Sequence, residues 1–149
     1  MARSRKWWAR AGFYCYCALM IWLLYGQRMG YTHEDTFLAY AQSNVNLQPF
    51  KTIRNYLYVA VRTTQWGMLR HIIINLLGNV MMFVPLGFFL PLNWQRFRPF
   101  WKLLLWVIGI IAMVELVQLV TMLGSLDGDD LILNVVGASI GVLIWRITK

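Results

Sequence analysis

The chain alternates long apolar stretches with short polar ones, and this pattern predicts membrane-spanning helices. A helix needs roughly 20 mostly apolar residues to cross the hydrocarbon core of a bilayer. The first and last stretches are short, but interfacial Trp and snorkelling Arg side chains at their ends extend them. We therefore expect an all-α membrane protein with four spans: residues 7–25, 72–92, 101–123 and 131–147.

A long loop, residues 26–70, separates the first two predicted spans. Pro49 disfavours helix at the residue before it, so residues 46–51 are expected to be extended or turned. Residues 52–69 mix apolar and aromatic side chains with Arg54 and Arg62. This segment is too polar to span, and it predicts an interfacial or re-entrant helix at the outer membrane surface.

Composition and charge support a membrane location and give an orientation. Hydrophobic residues form 59% of the 149 and charged residues only 13%, whereas a soluble domain carries about a quarter charged residues. The net charge of +8 comes mainly from basic residues at both termini and in the link between spans two and three. The loop between spans three and four has three Asp and no basic residue. The positive-inside rule places both termini in the cytoplasm.

These features define the expected partners and organisation. Basic residues beside the spans predict contact with anionic lipid headgroups, so membrane lipids are the expected partners and nucleic acid is not. Residues 1–149 have room for a single membrane domain. The pattern leaves the oligomeric state open.

Polar residues inside the predicted spans share helix faces, because residues three or four apart are neighbours on a helix. At about 1.5 Å per residue they lie roughly 5–12 Å below the outer ends of three spans. Buried polar groups need partners, so we expect one outward-opening pocket. Its lining would be Asn75, Asn79, Glu115, Gln118, Asp127, Asp130 and Asn134, with His71 at the interface above Asn75.

Each polar residue also has a structural interpretation. The amide side chains are able to form hydrogen bonds between helices that only stabilise the fold. A carboxylate within a span, such as Glu115, is costly to bury, so it indicates a functional site by default. Asp130 is expected to cap the fourth span. No resident cofactor is expected; a divalent cation held by Asp127, Asp129 and Asp130 is an open alternative, although the loop lacks the ligand series of a calcium-binding loop.

Small residues and proline predict how the spans pack. Pro85 and Gly87 are expected to kink or break the second span. Gly137 and Gly141 lie four apart on the fourth span, a spacing that allows another helix to approach closely. We expect this seam to pack within the chain rather than between two copies.

The motifs around these residues resemble those of VanZ-like membrane proteins. Asn75-x-x-x-Asn79 followed by Phe83-x-Pro85-x-Gly87 resembles one family block. Glu115-x-x-Gln118 with Asp127-x-Asp129-Asp130-x-x-x-Asn134-x-x-Gly137-x-x-x-Gly141 resembles the second, and Asn46-Leu47-x-Pro49-Phe50 resembles a shorter segment. Many members have Arg six residues after the Gln, where this chain has Gly124. The resemblance covers the chain from about Asn46 onward.

The resemblance implies a bacterial cytoplasmic-membrane protein of the cell envelope. The family's namesake is associated with low-level resistance to teicoplanin, a glycopeptide with a lipid tail. The expected function is therefore to lower susceptibility to such drugs, through a pocket that binds a lipid headgroup, a lipid-linked wall precursor or the drug. The alternatives are a metal-dependent enzyme with Glu115 as general base, and a purely structural module. The chain contains no P-loop, G-x-S-x-G or H-E-x-x-H motif.

Overall fold

The protein is all-helical apart from one two-residue strand pair, as shown by a computed structural model that describes residues 2–26 and 36–149. Residues 27–35 of the predicted outer loop, including Arg28, lie outside the described residues. The helices are α1 (Ala2–Ile21, followed by a π-helical turn, Trp22–Gly26), α2 (Phe37–Asn44), α3 (Lys51–Ala60), α4 (Trp66–Asn93), α5 (Phe100–Val120) and α6 (Gly128–Ile147). The strands are β1 (Val45–Asn46) and β2 (Leu126–Asp127).

Within the described residues, three helices are long and apolar enough to cross a membrane: α4, α5 and α6. They correspond to the second, third and fourth predicted spans, which confirms an all-α integral membrane protein. The first predicted span lies in α1 and its π-helical turn, whose basic beginning lowers its apolar character. A spanning role for α1 stays a prediction.

Close packing of α4 against α6 forms the centre of the molecule. A side-chain Cβ at Gly137 would lie 2.8 Å from the Val80 carbonyl carbon, and one at Gly141 would lie 2.8 Å from the Phe88 nitrogen. The two backbones are therefore too close for any larger residue at these positions. Beside this seam, α5 contributes its fully buried face, Leu103, Val107 and Ile111, to the hydrophobic core.

Helix α4 continues without interruption past Pro85 and Pro91, so a break in the second span is wrong. The other expectation, a kink at Pro85 and Gly87, stays a prediction. Proline removes a backbone donor, but a transmembrane helix persists where neighbouring groups satisfy the freed acceptors. Tyr16 of α1 donates a hydrogen bond to the Met82 carbonyl oxygen at 2.9 Å, which joins α1 to α4 in the turn before Pro85; the acceptor that Pro85 itself frees is the neighbouring Met81 carbonyl. Asn93, at the far end of α4, also donates to Ala9 of α1 at 3.2 Å.

The loop between α1 and α4 is more structured than the sequence predicts. Residues 52–69 form the second to tenth residues of α3, a turn and the start of α4, rather than one interfacial helix. Helix α2 precedes them, begins at the N-cap residue Thr36, and leads into β1. Strand β1 pairs in parallel with β2, with Val45 opposite Leu126 and Asn46 opposite Asp127. This pairing brings the loop onto the beginning of α6.

Candidate functional site

A small, largely enclosed cavity of about 80 Å³ lies where α4, α5 and α6 meet beside the end of the first helical segment. The polar residues of its wall come from three helices and the loop after α5. The full lining is Leu23, Leu24, Asn79, Met82, Phe83, Val114, Glu115, Gln118, Ser125, Asp130 and Asn134. We call this the polar cavity.

Hydrogen bonds across helices hold the polar side chains in the cavity wall. Asn79 of α4 donates its amide N–H to the carboxylate of Asp130 on α6. Gln118 donates to the Leu24 carbonyl oxygen at 3.2 Å, which ties α5 to the first helical segment. Glu115 and Gln118 are each only 5% exposed, so the helical spacing of three residues turns both side chains inward.

Asn134 occupies the α6 part of the wall and is 4% exposed. Its Oδ1 is buried, and no group in the described part of the chain donates a hydrogen bond to it. A buried acceptor without a donor costs about 1–3 kcal/mol relative to a satisfied one. Buried polar atoms are almost always paired in folded proteins, so this oxygen is an exception among the described residues.

Asp127, and not Asp130, is the N-cap of α6, which corrects the expected cap. The Asp127 carboxylate accepts a hydrogen bond from the backbone N–H of Asp129 at 2.8 Å. Its own backbone N–H donates to Glu115 Oε2 at 3.0 Å, which joins the cap to the cavity wall. The helix begins earlier than predicted, at Gly128, so Asp130 lies within its first turn and points to Asn79.

Asp129 links the beginning of α6 to the beginning of α3. It is fully buried, and its carboxylate accepts hydrogen bonds from the backbone N–H of Phe50 and, at 3.0 Å, from that of Ile53. These donors belong to the N-cap residue and first turn of α3, whose own N-cap side chain supplies no hydrogen bond. Asp129 therefore caps α3 from another helix and holds Phe50 in a left-handed conformation, with φ of 63°.

The predicted cation site gains no support from this geometry. Within residues 2–26 and 36–149, no group of three His, Cys, Asp or Glu side chains is arranged to hold a metal ion. Asp127 and Asp129 both accept hydrogen bonds from N–H and O–H groups of the protein. Their observed contacts stabilise the chain, and a divalent cation stays an untested alternative.

Thr52 connects α3 to the acidic turn, which we define as Asp127, Asp129 and Asp130, and it provides a first test. Its hydroxyl donates to Asp127 Oδ2 at 2.6 Å and accepts from the Asn46 side chain at 3.0 Å. We expect Thr52→Val to lower the free energy of unfolding by about 1.5–3 kcal/mol, the range for a hydrogen bond to a charged group. Thermal unfolding in detergent measures this loss, and Thr52→Ser should retain most of the stability. Equal loss in both variants would contradict the role of the hydroxyl.

Two predicted residues lie outside the polar cavity. Asn75 is one turn before Asn79 on α4 and does not contribute to the lining, although its Oδ1 is also buried without a donor among the described residues. His71 contacts the ring of Tyr56 on α3, with centroids 6.2 Å apart. Burial, together with the Asp130 and Asp127 carboxylates, raises the pKa of the Tyr56 hydroxyl above its usual value of 10, so this group stays protonated near neutral pH.

Sequence reasoning missed Asn46 and Thr52 as partners of Asp127. The available signal is that Asn46 belongs to a segment that resembles a family motif, but the sequence predicts only that this segment is extended or turned. Ser125 of the cavity wall was also missed. Helical spacing does not predict a contact between Asn46 or Thr52 and the N-terminus of α6, because these residues are far apart in the chain.

The fold and site define an integral membrane protein with a buried polar cavity among its packed helices. Residues 13–149 match the VanZ/LLP1 family, and the chain belongs to this family. It is similar to Protein VanZ of Enterococcus faecium, with 24% identity over 134 residues that cover 90% of this chain and 71% of the relative. No solved structure matches the chain.

Proposed function

We propose that this protein acts in the bacterial cell envelope and lowers susceptibility to lipid-tailed glycopeptides such as teicoplanin. Family membership and the similarity to Protein VanZ support the process. The single observation that supports a binding mechanism is the polar cavity, whose lining includes Asn134, a residue with a buried acceptor that has no donor among the described residues. The ligand would be a lipid headgroup, a lipid-linked wall precursor or the drug itself.

The size of the polar cavity limits how such a ligand binds. A water molecule needs about 10–15 Å³ of accessible space, so a cavity of about 80 Å³ holds a few waters or one small polar group. The remainder of the ligand would stay in the surrounding lipid, where exposed apolar residues of α5 such as Leu105 and Met113 face outward. We place the cavity in the outer half of the cytoplasmic membrane, with both termini in the cytoplasm.

Antibiotic susceptibility tests the proposal directly. Wild type, Glu115→Gln, Asp130→Asn and Asn134→Ala would be expressed at matched membrane levels in a sensitive Gram-positive host and challenged with teicoplanin or vancomycin. We expect the wild type to protect against teicoplanin and the three variants to fall to the level of empty vector. Ser139→Ala is a matched control, because Ser139 lies on α6 outside the cavity lining and bonds only the Val135 carbonyl among the described residues.

Two outcomes would contradict the proposal in different ways. Absence of protection by the wild type would reject a resistance function for this member. Protection that persists in all three cavity variants would separate resistance from the polar cavity. The enzyme hypothesis stays a prediction: Glu115 reaches the cavity, but its Oε2 already accepts the Asp127 backbone N–H.

A further inference from the structure

A second, open cleft lies at the beginning of α4, and its described lining has no residue in common with that of the polar cavity. It has a volume of about 420 Å³, within the range of roughly 300–1,000 Å³ that is typical of ligand pockets. Helical spacing places its lining residues on one face of α4. They are Trp66, Gly67, Arg70, Ile73 and Ile74. We call this the α4 cleft.

The α4 cleft is cationic near the end of the helix and apolar further along it. Arg70 is the one charged residue in the described lining, it is exposed, and it forms no hydrogen bond or ion pair with any described residue. Ile73 and Ile74 follow one turn later and are also exposed. Because α4 is long and apolar enough to cross a membrane, Arg70 in its second turn lies at headgroup level and the two Ile side chains lie deeper.

The exposed charge around the α4 cleft is positive. From residue 36 to residue 70, every charged side chain is basic and exposed: Lys51, Arg54, Arg62 and Arg70. The described acidic side chains are instead buried or partly buried, and each accepts a hydrogen bond from the protein: Glu115, Asp127, Asp129 and Asp130. In the orientation that we propose, these basic residues lie on the outer side, so the positive-inside rule does not account for them.

The complementary ligand has an anionic head and a hydrocarbon tail. A guanidinium carries N–H donors in a planar fork that matches the oxygens of a phosphate group. Trp66, which is 81% exposed at the edge of the cleft, is a residue type that concentrates at the membrane–water interface. Phosphatidylcholine also has a phosphate, but the surrounding basic side chains would repel its choline cation. The cleft therefore favours a lipid with net negative charge.

We propose that the α4 cleft binds an anionic glycerophospholipid, with the phosphate against Arg70 and an acyl chain along Ile73 and Ile74. This site is distinct from the polar cavity, so the assignment goes beyond the proposed function. It requires only that the protein lies in a membrane.

A lipid-dependent unfolding experiment tests this assignment. The purified full-length protein in detergent micelles would be heated with increasing phosphatidylglycerol, with phosphatidylcholine of identical acyl chains, or with glycerol phosphate. A ligand that binds only the folded state raises the midpoint of unfolding as its concentration increases. We expect phosphatidylglycerol to raise the midpoint more than either other compound. Equal midpoints with the two lipids, or an equal rise with glycerol phosphate, would overturn the assignment.

Replacement of Arg70 tests the phosphate contact. Arg70→Gln removes the cation and should weaken the apparent affinity for phosphatidylglycerol by roughly tenfold, the loss expected for one hydrogen bond between charged groups. Arg98→Gln is the matched control, because Arg98 is also exposed but lies in the link between α4 and α5, outside the cleft lining. Equal loss in both variants would indicate attraction to the whole basic surface and would overturn the site.

Replacement of Gly67 tests the cleft itself without changing its charge. An added Cβ at Gly67 would meet nothing within 4 Å, so Gly67→Leu should fill the cleft while the lipid-free protein remains as stable as the wild type. It should lower the affinity for phosphatidylglycerol as much as Arg70→Gln does. Gly109→Leu, at another open position but on α5, should bind like the wild type. Full lipid selectivity in Gly67→Leu would contradict binding in the cleft.

The lipid experiment and the resistance assay fail separately. A wild type that distinguishes the two lipids but gives no teicoplanin protection would reject the proposed function and retain the lipid site. Protection by a wild type that does not distinguish the lipids would reject the lipid site alone.

Discussion

Gly141→Ala is expected to destabilise the protein by about 3 kcal/mol or more, at or beyond the upper end of the cost of overpacking. The added Cβ would lie against the Val84 carbonyl oxygen and 2.8 Å from the Phe88 nitrogen, so it would meet backbone rather than a movable side chain. Relief requires α4 and α6 to separate, which also disturbs Asn79 and Asp130 in the polar cavity. The midpoint of thermal unfolding in detergent and the yield of monodisperse protein measure this effect.

Gly109→Ala is the matched control for the glycine seam. Gly109 lies within α5, where an added Cβ would meet nothing within 4 Å. Alanine in a helix interior is favoured over glycine by about 1 kcal/mol, so this variant should be unchanged or more stable. Similar stability of the Gly141 and Gly109 variants would show that the α4–α6 approach does not limit residue size.

Asp129→Ala is expected to release α3 from the beginning of α6 and to destabilise the protein by about 3 kcal/mol. Two backbone N–H groups, of Phe50 and Ile53, would lose a charged acceptor, and each hydrogen bond to a charged group contributes about 1.5–3 kcal/mol. Phe50 would also lose the contact that holds its left-handed backbone. Limited trypsin digestion should then cleave faster after Lys51 and Arg54, and the unfolding midpoint should fall.

The controls for Asp129 separate the cap from general destabilisation. Asp129→Asn keeps one acceptor oxygen and should give an intermediate digestion rate. Ser43→Ala removes hydrogen bonds within α2 alone, to the Ala39 and Tyr40 carbonyl oxygens, and should digest like the wild type at both α3 sites. Unchanged digestion of Asp129→Ala would mean that α3 is held by other contacts.

The helical spacing of polar residues predicted much of the cavity geometry. Glu115 and Gln118 lie three apart on α5, and Asp130 and Asn134 lie four apart on α6, so each pair necessarily shares a helix face. The structure brings both pairs and Asn79 to one cavity. Their role in binding stays a prediction. Asn75 shows what helical spacing does not predict. It lies on the same face of α4 as Asn79, one turn earlier in the chain, but only Asn79 lines the cavity.

The acidic turn shows what spacing does not determine. Asp127, Asp129 and Asp130 are near neighbours in the chain, yet Asp127 caps α6, Asp129 caps α3 and Asp130 contacts α4. A carboxylate accepts from whichever donors the fold places beside it. The backbone donors for Asp129 lie at the beginning of α3, in the segment that connects α1 to α4. Ile53, for example, precedes Asp129 by 76 residues in the chain.

By itself, the sequence determined the helical membrane class, the approximate limits of α4, α5 and α6, and the faces on which their polar residues lie. These properties depend on local periodicity and on the cost of placing polar backbone in hydrocarbon, and both are encoded within each segment. Only the tertiary structure decided that α4 stays continuous through Pro85, that β1 pairs with β2, and that Asp127 rather than Asp130 caps α6. The strand pairing joins distant segments, and the local cap at Asp127 forms where Asn46 and Glu115 hold this residue. Such partners are fixed by three-dimensional packing and not by spacing along one helix.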